Sequence, residues 1–391
     1  MINSEMQSFK FETYLIKSIC IIIFALSVGY YYLGEFRYIT GIVYLLGLIL
    51  ILVRSIIYNT IDQKILIVFM LSLMVFFLAF LIFEDSVHMI YSFRLFYGYF
   101  LIFILLRYTN FLNTKFIIIS LSVITIFEYS LIRIYPDLIF WLNNYDGGKS
   151  FYLWHTQTLL GGVHSFGGNR TVNGVLMLAL HIYSKDTLKS RFTSWVSLIA
   201  MIISVSGTAY ILYFIYLIIR TLRSQNSYGV SIFTGFFLLP VCVFIFFYTG
   251  DEKYFFQQFS YKYFLFIFEA KMQQIRILLE LGNFWFGGGS VVTGASSEMK
   301  GYDAIFGDFM ILELIKRHGL FGFLILTISL MIFMKKQSAL PVFIIFLGSA
   351  HYHVLFSGPG QFITAWLLVL GYQASSVNRL NGAIHKKTAN L

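Results

Sequence analysis

The sequence predicts an all-α, polytopic membrane protein: one integral domain over residues 1–391, with about twelve transmembrane helices and two large outer loops. Three observations carry that prediction. The chain is 58% hydrophobic and 12% charged, against about half and about a quarter in soluble domains. Apolar segments recur along its whole length. Basic residues crowd into every second short loop between those segments, as they do in chains that cross a bilayer repeatedly.

The segments run over 14–33, 38–53, 65–83, 87–106, 116–135, 171–183, 192–205, 207–219, 230–248, 319–334, 339–356 and 361–374. A full crossing takes about 20 residues, so 171–183, 192–205 and 207–219 are short and are expected to be extended, tilted or broken. The last two of these meet at Ser204-Val205-Ser206-Gly207-Thr208. Small hydroxyl residues and a glycine at that depth are tolerated only where the backbone lines a cavity or packs on protein. Alternate short loops hold Arg54 and Lys64; Arg107 and Lys115; Lys185, Lys189 and Arg191; Arg220 and Arg223; Lys335 and Lys336. The opposite short loops hold only Arg37. That bias assigns the first set, and both termini with it, to the cytoplasm.

Two long loops, 136–170 and 249–318, then face outward. Loops above about 15 residues are usually functional or disordered. The first carries Phe140, Trp141, Tyr145, Phe151, Tyr152, Trp154 and Phe166, a composition that argues for order. In the second, YFFQQFSYKYFLFIF (254–268) runs into KMQQIRILLELG (271–282), which reads as an interfacial helix over 254–281. Cys20 and Cys242 lie far apart in apolar segments and suggest neither a disulfide framework nor a thiolate metal site. The first apolar segment lacks a small-residue cleavage site, so no removable leader is expected. The net charge of +10 is scattered between segments rather than gathered on one face, which argues against nucleic acid as a partner.

The stretch RILLELGNFWFGGGS (276–290) has the glycine separation of a phosphate loop in Gly282 and Gly287. Gly288 and Gly289 stand where the lysine and hydroxyl are required, and no strand precedes, so a nucleotide site is excluded. What remains is a helix cap at Gly282 and a turn at Gly287, Gly288 and Gly289. Arg276 lies about three helical turns before Gly287. Its guanidinium can grip phosphate with two hydrogen bonds, or pair with Glu280 four residues on. Arg170, in GGVHSFGGNRTVNG (161–174), either anchors the start of the next segment at the interface or lines a tight, backbone-exposing turn. Asp303 and Asp308 lie in GYDAIFGDFMILELIKRHGLFGF (301–323) and offer a general base. Asp308 reads equally as the capping acid of the helix that follows. Arg94, Glu128 and Arg133 are ionisable residues within apolar segments. Arg94 and Glu128 suit either a structural ion pair or the floor of a polar cavity. His155 and His164 are candidates for contacts with substrate hydroxyls. His351 and His353, two residues apart, point to different sides of a helix, so no metal site follows.

The order of these pieces resembles the O-antigen polymerase and O-antigen ligase superfamily of polysaccharide assembly. The late outer loop carries Arg276, then Gly287 eleven positions on, a glycine-rich turn, an acid, and then a helix ending in HGLFGF (318–323). NRTVNGVLMLAL (169–180) is similar to the helix that follows the family's earlier outer loop, and ISVSGTAYIL (203–212) to its serine–basic–threonine hairpin. The resemblance covers the chain from about Gly161 onward. Three departures stand: Gly207 replaces the hairpin's basic residue, Phe306-Gly307-Asp308 replaces the ligase-type His-Asn pair, and His181 stands where a second Arg-x10-Gly pattern from Arg170 would end. The second departure favours polymerase over ligase.

The resemblance implies a GT-C-like architecture in a bacterial inner membrane and a metal-independent glycosyl transfer on the periplasmic face, with no cofactor. Donor and acceptor are then glycans on undecaprenyl pyrophosphate, and a chain-length regulator and membrane lipid are the other partners. Arg276 and Arg170 are expected to stabilise the pyrophosphate leaving group. Asp308 is expected to activate the acceptor hydroxyl, with Asp303 in reserve. Gly287, Gly288, Gly289, Asn173, His164, Asp303 and Arg94 are expected to contact substrate. The rival class is a lipid-linked oligosaccharide flippase, which would show two similar halves; the sequence shows none. A ligase-type transferase and a membrane acyltransferase are further alternatives.

Overall fold

The computed structural model describes residues 2–28, 63–82, 113–134, 170–223, 310–350, most of 98–107 and of 352–389, the turn 284–287, and scattered positions in 46–53 and 265–280. Among these residues there are helices and turns and no strand. The helices are α1 (Ile2–Val28), α2 (Gln63–Ile82), α3 (Thr114–Ile134), α4 (Arg170–Asp186), α5 (Arg191–Ile203), α6 (Gly207–Arg223), α7 (Met310–Phe333), α8 (Lys336–Gly348) and α9 (Gly358–Ala389). The window Thr114–Leu131 of α3 is the one described stretch both long and apolar enough to cross a membrane. Shorter apolar helices stand at Lys17–Val28, Arg191–Ile203, Gly207–Arg220, His318–Phe333 and Lys336–Gly348. The expected segments 38–53, 87–106 and 230–248 lie wholly or largely outside the described residues.

The fold is built around α4, whose residues 171–184 are all buried. Contacts along its length set the direction of its neighbours. Asn173 meets Ser204 and His181 meets Ser194, so α5 runs antiparallel to α4. Ser122 lies against Met177 and Thr125 against Asn173, which makes α3 antiparallel as well. Thr187 donates to the Gln337 carbonyl at 2.9 Å while Gly348 abuts Val175, so α8 is a third antiparallel neighbour. α6 runs parallel to α4: Ala209 abuts Gly174 at one end and Tyr216 bonds Asp186 at the other. A helix surrounded in this way buries every face, and the buried residues of α4 include no charged side chain.

Around this centre, α7 packs on α2, and Phe333 of α7 stacks near Phe100 and Phe103, with ring centroids 5.9 and 4.5 Å away. α1 meets α9 through Phe24 and Phe362 at 5.2 Å. The outward faces are apolar too: Phe116, Phe127, Trp195 and Met331 are exposed.

Several boundaries differ from the sequence expectation, among them the end of α9, which runs to Ala389 against an expected 374. α1 begins at Ile2, well before 14, and α7 at Met310, before 319. The segment expected as 339–356 is helical only to Gly348; the described residues among 349–357 form turns and bends.

Candidate functional site

At the Arg170 end of α4 the chain twice leaves helical geometry. α5, of 13 residues, closes on Ser204 in the right-handed helical region, and α6 starts two residues beyond Val205. The Ser204 hydroxyl donates to the Ala200 carbonyl at 2.8 Å. Ser206 caps α6: its hydroxyl accepts the Ala209 N–H at 3.2 Å and its carbonyl the Tyr210 N–H at 3.1 Å. α8, also of 13 residues, closes on Ser349, whose hydroxyl donates to the Ile345 carbonyl at 3.0 Å. Ser357 then caps α9 by the same two bonds, from the Gly360 N–H at 3.0 Å and the Gln361 N–H at 2.8 Å. α5–α6 and α8–α9 are therefore two copies of one device: a short helix closed by serine, a break, and a Ser-Gly helix start. The sequence reading finds no matching halves, and halves of the fold are not what repeats here. A local hairpin does.

Both tips reach the first turns of α4. A Cβ on Gly174 would stand 2.7 Å from the Ser206 Cβ and 3.1 Å from that of Ala209. A Cβ on Gly348 would stand 2.7 Å from a Val175 methyl carbon. Asn173, fully buried, donates from Nδ2 to the Ser204 hydroxyl at 2.9 Å, and Thr125 of α3 lies 3.5 Å from the same amide. Val205, at the tip, has φ 48°, the left-handed region that a β-branched residue rarely adopts. Arg170 opens α4 and is partly buried. The starts of α4 and α6 thus lie side by side, with Arg170 the first residue of α4. Each brings the positive end of its helix dipole.

The late-loop motif docks elsewhere, on α7. That helix is broken at Gly319, with φ 68° and ψ 177°. The turn 284–287 lies across the break. The Leu320 N–H donates to the Phe284 carbonyl at 2.8 Å, and the Phe321 N–H to the Trp285 carbonyl at 3.2 Å. A side chain on Gly319 would overlap the Trp285 carbonyl. Gly287 is buried with φ 82°, a turn geometry that glycine adopts without strain. The two glycine motifs of the second half of the chain, NFWFGGG and HGLFG, therefore meet in space. Arg276 stands on exposed helical backbone eight residues before Phe284. The described positions between Leu265 and Glu280 are all helical, within the expected interfacial helix 254–281.

Of the expected site residues, Arg170 and Asn173 come together at the α4 start, and Gly287 joins Gly319. Asp308, Asp303, Gly288, Gly289, His164 and Arg94 lie outside the described residues, as do His155, His351 and His353. Glu128 is buried on α3. Its expected pairing with Arg94 lies outside the described residues.

The opposite end of α4 holds a cluster that sequence reasoning missed. His181 Nδ1 lies 2.8 Å from the Ser194 carbonyl, and its ring stands edge-on to those of Tyr213 and Tyr216. The Tyr216 hydroxyl donates to Asp186 at 3.0 Å, and Arg220 approaches the same carboxylate at 3.9 Å. The signal was available in the i, i+3 spacing of Tyr213 and Tyr216 on α6, with Arg220 one turn further on. The described residues contain no group of His, Cys, Asp and Glu arranged to hold a metal ion. The chain matches no family model, no curated protein and no solved structure at a significant level.

Proposed function

We propose that this chain is a polytopic inner-membrane glycosyltransferase, GT-C-like with about twelve spans, that polymerises lipid-linked oligosaccharide repeat units at the periplasmic face. The observation that carries the reading is the packing of the α4 start, which Arg170 opens, against the tip of the α5–α6 hairpin. Helix N-termini with an arginine beside them suit a phosphate-bearing ligand. Irregular, polar backbone inside an apolar bundle is the arrangement in which membrane proteins receive charged substrates. The apolar outer helix faces and the spanning length of α3 support placement in a bilayer.

In this reading the acceptor sugar hydroxyl attacks the anomeric carbon of the donor glycan. Its proton passes to Asp308, the bond from the anomeric carbon to the pyrophosphate oxygen breaks, and the pyrophosphate leaves with the electron pair. Arg276 and Arg170 stabilise that departing charge without a metal. The experiment is complementation of a polymerase-deficient strain, with membrane insertion checked in parallel. Arg276→Ala and Arg170→Ala are each expected to lower polymerisation about 10²–10³-fold, as loss of one charge-stabilising group does, and Asp308→Ala about 10²–10⁴-fold, as loss of a general base does. Full-length glycan ladders from an inserted Arg276→Ala protein would sink the site assignment.

A flippase is the second reading, and the repeated hairpin favours it: paired broken helices are a transporter feature. Under that reading the defective strain accumulates repeat units on the cytoplasmic face. Under the polymerase reading, single units reach the outer face and stay unjoined.

A further inference from the structure

We propose that residues 284–287 form a strap that holds the Arg276 segment in register with the membrane bundle, and that Gly319 is a positioning residue of the transfer site. The proposal rests on the polymerase reading. It starts from backbone chemistry. Breaking α7 at Gly319 gives its second half a new N-terminus, whose first N–H groups have no carbonyl four residues earlier to bond. The strap supplies two of the missing acceptors, Phe284 O for Leu320 N–H at 2.8 Å and Trp285 O for Phe321 N–H at 3.2 Å. Away from water, each such bond lost strands an amide. The side chains divide in agreement. Phe284 packs with Ile315 of α7, while Trp285 and Phe286 remain 61% and 58% exposed. Backbone bonds and one anchoring ring hold the strap, not burial of its tip.

Gly319 makes the crossing geometrically feasible in two ways. Its φ of 68° is left-handed, and its lack of a Cβ admits the Trp285 carbonyl. Any side chain there pushes the strap off. Arg276 lies only eight residues upstream on helical backbone, so a displaced strap shifts the guanidinium. A misplacement of about 1 Å at a reacting centre can cost on the order of 100-fold in rate.

The test uses the full-length protein in membranes, with Cys20 and Cys242 replaced by alanine. Phe286→Cys with Phe321→Cys reports docking, since the Phe321 N–H bonds the carbonyl of the residue before Phe286 at 3.2 Å and holds the two backbones adjacent. With Gly319 intact, oxidation is expected to give the intramolecular disulfide and leave polymerisation unchanged. Gly319→Ala is expected to lose the cross-link and about 100-fold of the turnover per inserted molecule. Leu326→Ala, a buried residue further along α7, is the stability control. It is expected to lower the thermal midpoint yet keep the cross-link and the turnover per folded molecule. Normal polymerisation by Gly319→Ala overturns the positioning role, and so does an equal loss of turnover in Leu326→Ala. Polymerisation lost on oxidation and recovered on reduction also overturns it, because the strap would then have to open. If the cross-link follows Gly319 as expected but the wild-type chain polymerises nothing, the strap stands and the polymerase reading falls.

Discussion

Asn173 shows how one amide can organise a tip. It lies fully buried, and its bond to Ser204 joins α4 to the end of α5. Removing the Ser204 hydroxyl takes the nearest acceptor from the buried Asn173 amide, which costs about 1–3 kcal/mol, while the Ser204 hydroxyl without Asn173 keeps its bond to Ala200. A double-mutant cycle of Asn173→Ala and Ser204→Ala, read by thermal unfolding in detergent, is therefore expected to give coupling of about 1 kcal/mol. Additive losses would mean the two groups act independently. Asn173 was expected to contact substrate; its buried bonds give it a structural task that any such role must share. Val205 beside it holds φ 48° at a cost of about 1–3 kcal/mol. Val205→Gly relieves that strain but frees the unfolded chain, so a net gain of up to about 1 kcal/mol is expected. A lower midpoint in Val205→Gly would show that Val205's packing outweighs its strain.

The hairpins are the unit at the scale of elements. Ser206 and Ser357 cap α6 and α9 with the same pair of bonds. Each serine replaced by alanine is expected to cost about 1 kcal/mol, and each replaced by glycine only a few tenths. Unequal losses would show that only one hairpin depends on its cap. The first hairpin was legible because Ser204, Ser206 and Gly207 interrupt an apolar run. The second was not: Val354, Leu355 and Phe356 are buried in irregular backbone, and an apolarity pattern registers burial without distinguishing helix from bend. The early start of α1 was hidden for the opposite reason: its first turns carry Glu5 and Lys10. The start of α7 at Met310 was legible in Asp308, read as the capping acid of the helix that follows. The helix persists after its apolar face ends. The meeting of 284–287 with Gly319 could not be read at all, since nothing in local spacing links positions more than thirty residues apart.

On the scale of the whole molecule, charge bias in the short loops gave a direction for every segment. A reporter fused after Leu391 is expected to read cytoplasmic, and one inserted between 291 and 300 to read periplasmic. The reverse pattern would place the Arg170 end on the wrong side for an outer-face transfer. The helical character of the described residues was legible from the recurring apolar segments; the central place of α4 was not, because its asparagine, histidine and serine make it look like one of the weaker segments. That weakness has a consequence for biogenesis. Residues 171–184 are all buried, so α4 presents no finished apolar surface to lipid when it leaves the ribosome. α5 and α6 follow at once, but α8 is made about 150 residues later. At about 5–20 residues per second that is on the order of ten seconds. Under the proposed membrane reading, one flank of α4 stays bare during that interval and is expected to need shielding until the second hairpin arrives.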